Sequence, residues 1–107
     1  MARSLGMGTV TILAALQERV RYGLDLTERT GLLAGTVYTT LRRLEGRSLV
    51  EGHWEQPEVA EAERRPRRRY YTLTPEGEVA LADARKRMGK LTVDMPPNAR
   101  VAGSADR

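Results

Sequence analysis

A chain of 107 residues has the length of one ordinary domain, which leaves little room for separate binding and catalytic units. Hydrophobic residues at 40% and charged residues at 30% exclude a wholly disordered or fibrous chain, while aromatic residues at 5%, with no Phe, make a core thin enough for dimerisation to help. Of the 18 basic residues 16 are Arg and the net charge is +4. Nucleic acid is therefore the first partner to expect, because the flat guanidinium fork suits phosphate oxygens and guanine edges, although codon bias in a GC-rich genome also raises Arg.

Residues 1–8 hold two Gly and no periodic pattern, and read as a flexible lead-in to a domain over residues 9–93. A first helix follows, with Val10, Ile12, Leu13, Leu16 and Val20 at helical spacing, Gln17, Glu18, Arg19 and Arg21 polar, and Gly23 as its end. The apolar run over residues 10–16 is broken by Thr11, too short to span a bilayer, and reads better as an amphipathic helix than as an export signal. The expectation is a cytoplasmic protein with no membrane partner. A short second helix covers Leu24 to Thr30, with Gly31 as its left-handed terminator. The third runs from about Ala34 to Arg47. In it Val37, Leu41 and Leu44 recur at i, i+4 and i+7 and point inward, which turns Gly35, Thr39, Arg42, Arg43 and Gly46 outward as a small, basic stripe.

After Gly46 the period becomes two. Val50, Gly52 and Trp54 share one strand face, with Trp54 expected in the core, and Glu51, His53 and Glu55 share the other. A second strand over about residues 67–74 sets Tyr71 and Leu73 against Arg68, Tyr70 and Thr72, and the two strands form a hairpin. The connection between them, residues 56–66, is too long for a tight turn and is expected to be a flexible wing. Thr74-Pro75-Glu76 then starts a final helix over about residues 75–93: a hydroxyl cap, Pro at the first helical position and an acid in the first turn. Its apolar positions Leu81, Ala84, Met88 and Leu91 form a narrow stripe of the kind that pairs two helices, and a dimer interface is expected there together with Leu13. Pro96-Pro97 forbids continuation, and residues 94–107 read as a disordered tail.

Three helices, a two-stranded hairpin and a final helix, in that order, describe a winged helix-turn-helix, a mainly α fold with a small β-hairpin. In that architecture the third helix enters the DNA major groove and the hairpin loop lies along the backbone or the adjacent minor groove. The basic residues sit where both tasks need them: Arg42 and Arg43 on the third helix, and Arg64, Arg65, Arg67, Arg68 and Arg69 in the wing. The plainer reading of such charge runs, taken alone, is a solvated helix face and loop.

Tyr22-Gly23, then Gly35-Thr36-Val37-Tyr38 with Leu41, Leu44 and Glu45, then Leu49-Val50-Glu51 with Trp54, then Arg69-Tyr70-Tyr71-Thr72-Leu73-Thr74 and Gly77, closely resemble the PadR-like transcriptional regulators. The resemblance implies a homodimeric repressor that binds double-stranded DNA at an inverted-repeat operator and releases it on an effector signal, in the compact subgroup with a short C-terminal helix. Carried over by position, it makes Thr36, Tyr38 and Thr39 contacts at the front of the recognition helix. Tyr38 could set its hydroxyl on a phosphate or cover the second helix, and Thr36 could instead cap or turn. Tyr71 falls on the inner strand face and Tyr70 on the outer, beside the wing arginines. Two departures stand out. Leu33-Ala34 replace the Ser-Pro of many relatives, leaving the recognition helix without an obvious side-chain cap, and Glu58, Glu61 and Glu63 occupy a wing where relatives often carry Gly.

No cofactor is required by this reading, and the effector is open between a small molecule and a divalent metal. Stacking of an aromatic drug finds little support, because the final helix has no aromatic residue. A metal set could come from Glu51, His53 and Glu55 on one strand face, but residues two apart on a strand lie about 7 Å from each other, and a solvated face is the simpler account. The absence of Cys excludes a disulfide scaffold, a thiolate metal site and a Cys nucleophile. With one His, no phosphate-cradling Gly loop and no converging acid pair, an enzyme is not expected. The competing function is a winged-helix protein-docking module that uses the same face on an acidic partner and binds no DNA.

Overall fold

In the computed structural model, which describes residues 5–94 and the side chains of residues 5–89, the chain runs α1 (Met7–Glu18), β1 (Arg21–Tyr22), α2 (Gly23–Thr30), α3 (Ala34–Gly46), β2 (Val50–Trp54), α4 (Pro57–Ala62), β3 (Arg69–Leu73) and α5 (Pro75–Asp94). The strands form one antiparallel sheet in the order β1-β3-β2, with Arg21 opposite Tyr71 and Val50 opposite Leu73. The expected mainly α winged helix-turn-helix is therefore present, with a third strand added to its hairpin.

Local signals set most of the boundaries. Gly31 ends α2 at φ 75°, a left-handed conformation that an L side chain adopts only with strain, and its amide caps the Thr27 carbonyl at 2.9 Å. At α5, Thr74 Oγ1 accepts the Gly77 amide at 3.0 Å and donates to the Ser48 carbonyl at 2.8 Å, so one hydroxyl starts the helix and ties it to the turn before β2.

The first segment departs from expectation at both ends. Helical structure already begins at Met7, where the Gly6 carbonyl accepts the Val10 amide at 3.0 Å, so Met7 and Gly8 belong to α1 rather than to a lead-in. At Arg19 the backbone turns extended, and Val20, expected on the apolar face, stands 48% exposed. The helix stops early because Arg21 and Tyr22 pair with β3. Arg21, expected to be solvated, is buried: its Nε donates to the Ala15 carbonyl at 2.8 Å, Nη2 to Glu18 at 2.6 Å and Nη1 to Asp25 at 3.3 Å. Two carboxylates and a carbonyl satisfy this buried cation, which clamps α1, β1 and α2 together. Arg29 closes the cluster on Glu18 at 2.7 Å, and the Arg29 guanidinium holds the Glu18 carboxyl below the usual carboxylate range.

The core joins Ile12, Leu13 and Leu16 of α1, Leu26 of α2, Val37, Leu41 and Leu44 of α3, Val50 and Tyr71 of the sheet, and Leu81 and Ala84 of α5. This corrects the expected dimer stripe. Leu13 and Leu81 are fully buried and Ala84 nearly so, inside one chain, and Met88 packs partly buried on the same core. Three- and four-residue spacing serves packing within a chain as well as between chains, and here it joins α5 to α1. Leu91 lies outside the described side chains, and the expected tail beyond residue 94 lies outside the described residues.

Candidate nucleic-acid interface

Helix α3 is held by its inner face and open on its outer one. Val37, Leu41 and Leu44 are essentially inaccessible and Thr40 is buried beside them, so the helix cannot rotate without exposing apolar surface. Thr36, Thr39, Arg42 and Arg43 are exposed on the opposite side, and among the described residues neither Arg42 nor Arg43 has an ion-pair partner. As expected, no side chain caps the helix at Leu33. Leu33 itself is 79% exposed and borders a shallow depression of about 580 Å³ with Gly35, Thr36, Thr39 and Arg43. Sequence reasoning treated Leu33 only as a missing cap.

Tyr38 takes the helix-covering arrangement. Its ring lies against Gly23, where any Cβ would collide with the ring and hydroxyl, so Gly23 makes room for Tyr38 at the junction of β1 and α2. Even so, Tyr38 is 46% exposed.

The wing differs from expectation. Instead of a structureless loop, residues 57–62 form α4, with Pro57 in the first turn, Glu58 behind it and Ala60 buried. The Arg65 amide closes onto the Ala60 carbonyl at 3.1 Å, with Arg64 between them at φ 55°. The Arg65 guanidinium then forks onto the Glu55 carboxylate at 2.7 and 2.8 Å and reaches Glu63 at 2.8 Å. This pairing, with the Arg68 amide as a further donor, holds the Glu55 carboxyl down at about 2. Arg67 Nε donates to the Glu55 carbonyl at 3.0 Å. Arg69 crosses to Glu45 on α3 at 2.9 Å, and that carboxylate raises the Arg69 pKa. The guanidinium carbon of Arg68 lies 4.0 Å from the Tyr22 ring centre, and Tyr22 meets Tyr70 edge to face at 5.4 Å.

Trp54 is the clearest correction. Expected in the core beside Val50, it is 57% exposed, because its end of the sheet is flanked by arginine side chains rather than by a helix: Arg67 and Arg69 lie 5.5 and 5.3 Å from the indole centre. The proposed metal set is not brought together either. His53 Nε2 is 3.8 Å from Glu51, but the Glu55 carboxylate is occupied by Arg65, and no cluster of three His, Cys, Asp or Glu among the described residues is placed to hold a metal ion.

Residues 12–83 match the transcriptional regulator PadR-like family. The chain belongs to that family. Similar folds include a PadR family transcription regulator of Clostridium difficile R20291 (24% identity, 81% of this chain and 92% of that chain, TM-score 0.72) and one of Eggerthella lenta DSM 2243 (26%, 78% and 73%, 0.67). A third is Bordetella bronchiseptica BpsR, a protein whose DNA binding is regulated by 6-hydroxynicotinic acid (24%, 95% and 76%, 0.72). No curated protein sequence matches the chain. Among the described residues of this PadR-like regulator, no helix is long and apolar enough to cross a membrane.

Proposed function

We propose that this PadR-like regulator is a homodimeric repressor that reads an inverted-repeat operator through α3 and is relieved by an effector. The observation that carries this reading is the pair of exposed guanidiniums of Arg42 and Arg43, without an ion-pair partner among the described residues, on a helix whose other face is locked into the core. Arg43, near the middle of the outward stripe, reaches a guanine edge; Arg42 takes a base or the neighbouring phosphate. Thr36 and Thr39 bond at the front of the helix, and exposed Leu33 meets a thymine methyl. In the wing, Arg64, Arg67 and Arg68 neutralise phosphates, Tyr70 supports Arg68 from behind, and Arg65 and Arg69 hold the wing in shape.

Because Leu13, Leu81 and Ala84 are already buried, the dimer uses a different surface: the apolar groove between α1, α2 and α5 lined by Met7, Val10, Thr11, Ala14 and Met88. Two copies place two recognition helices about one DNA turn apart, roughly 34–36 Å. No cofactor is needed. The fold-level likeness to the Bordetella protein makes a small organic molecule the first class of effector to screen.

Selection of bound duplexes from random DNA tests this reading. A recovered palindrome with two half-sites supports it. No saturable duplex binding near physiological salt overturns it in favour of a protein-docking module. Ala14→Glu, placed in the groove, should yield monomers by sedimentation with the fold retained.

A further inference from the structure

We propose that the cleft between the wing and the recognition helix binds a free nucleoside phosphate, with its base against the indole of Trp54 and its phosphate on Arg67 and Arg68. The cleft is about 500 Å³, within the roughly 300–1,000 Å³ range of small-molecule sites, and lies between Tyr22 and Leu24 on one side and Trp54 with the wing arginines on the other, bordered by Tyr38. Its chemistry has two halves. One is aromatic: Trp54 keeps more than half its surface in water although Arg67 and Arg69 lie 5.5 and 5.3 Å from its ring centre, and Tyr22 and Tyr38 line the same cleft. A large exposed indole facing a cleft is a stacking platform, and a planar heterocycle is what it takes.

The other half is cationic. Of the four arginines lining the cleft, Arg65 and Arg69 are neutralised by Glu55 at 2.7 Å and Glu45 at 2.9 Å. Arg67 and Arg68 have no carboxylate partner among the described residues. Two guanidiniums without a carboxylate partner match the charge of a phosphate monoester dianion, and Arg68 is oriented by its stack on Tyr22 at 4.0 Å and its hydrogen bond with Tyr70, while Arg67 spends only its Nε on the Glu55 carbonyl. A ligand carrying a flat ring and a dianion on one small frame satisfies both halves, and a nucleotide is such a ligand. An inorganic anion leaves the indole wet, and a neutral heterocycle leaves the guanidiniums unpaired. Since Arg67 and Arg68 are also proposed phosphate contacts of the operator, a bound nucleotide competes with DNA. That consequence rests on the regulator reading above, whereas binding of the nucleotide does not.

Trp54 is the only Trp in the chain, so the site carries its own reporter. Titration of the full chain with GMP, followed by indole fluorescence and by calorimetry, is expected to give saturable quenching and heat. Guanosine and ribose 5-phosphate, each lacking one half, should bind at least about tenfold more weakly. Trp54→Leu, a change at an exposed side chain, should abolish the heat of GMP binding while the fold is retained by circular dichroism. The Arg67→Gln/Arg68→Gln double variant should lose GMP while Trp54 keeps its fluorescence. Absence of saturable GMP binding with duplex binding intact overturns this inference alone. So does equal binding of ribose 5-phosphate and GMP. Binding of GMP without any duplex binding upholds the site and removes the regulator reading instead.

Discussion

Arg42 and Arg43 on α3 stand exposed with no ion pair among the described residues, whereas Arg65 and Arg69 at the base of the wing are each closed onto a carboxylate, Glu55 and Glu45. Both regions carry arginine and put it to different uses. On the helix the surface is made by burying the opposite face, so the outward cations are left to a partner. The wing has little core of its own beyond Ala60, and so spends part of its charge on holding its shape. A guanidinium already paired with a carboxylate must give up that bond to take a phosphate, so the number of arginines in a loop is not the number of phosphates it neutralises.

The comparison can be broken or sharpened by substitution. Leu41→Ala removes the anchor that turns α3 outward and should cost about 2–5 kcal/mol in chemical denaturation; a loss below about 1 kcal/mol would mean the helix face is held by something else. Arg65→Ala comes next. It should lower the melting temperature, by loosening Glu55 and Glu63 from the wing, while the salt slope of duplex binding stays near that of the unmodified chain. Arg68→Ala should do the reverse, with little change in melting, binding to all duplexes weakened alike and a slope reduced by about one unit. Matching slopes for the two variants would erase the distinction between structural and contacting wing arginines.

The smallest effect is one of pH. Pairing lowers the Glu55 carboxyl from 4.5 to about 2, so its contribution to folding is complete above about 4.5 and is lost as the pH falls toward 2. The difference in melting temperature between the unmodified chain and Glu55→Gln should therefore be constant from neutral pH down to about 4.5 and narrow below it. A difference that vanishes already above pH 5 would show that Arg65 does not hold this carboxylate.

What was legible in the sequence follows from which forces are local. Val37, Leu41 and Leu44 repeat with the helical period, and Gly31 and Thr74 act within one turn, so the inner face of α3, the stop of α2 and the start of α5 could be read directly. Strand alternation placed Trp54 on the same face as Val50, but periodicity cannot say whether anything covers that face at its far end, and arginines, not a helix, lie there. The pair Arg21–Tyr22 is a strand only because β3 lies beside it, a contact invisible until the chain has folded back. The stripe positions Leu81 and Ala84 misled for a related reason, since a partner helix in the same chain imposes the same spacing as one in a second copy. The wing helix was within reach: Gln56-Pro57-Glu58 repeats the Pro-acid start of Thr74-Pro75-Glu76, inside the connection over residues 56–66 whose length and polarity point to a flexible wing. At the candidate interface the positions of Arg42 and Arg43 were readable from the helical wheel. The pairing of Arg69 was not, because its carboxylate, Glu45, comes from helix α3, 24 residues away in the chain.

The most direct measurement compares Arg43→Ala with the unmodified chain on a selected operator and on random duplex of equal length, at one fixed salt concentration. Operator affinity should fall about tenfold or more, as expected for loss of a bidentate base contact, with random-duplex affinity changed far less. Equal losses on the two duplexes would show that the outward flank of α3 does not read sequence.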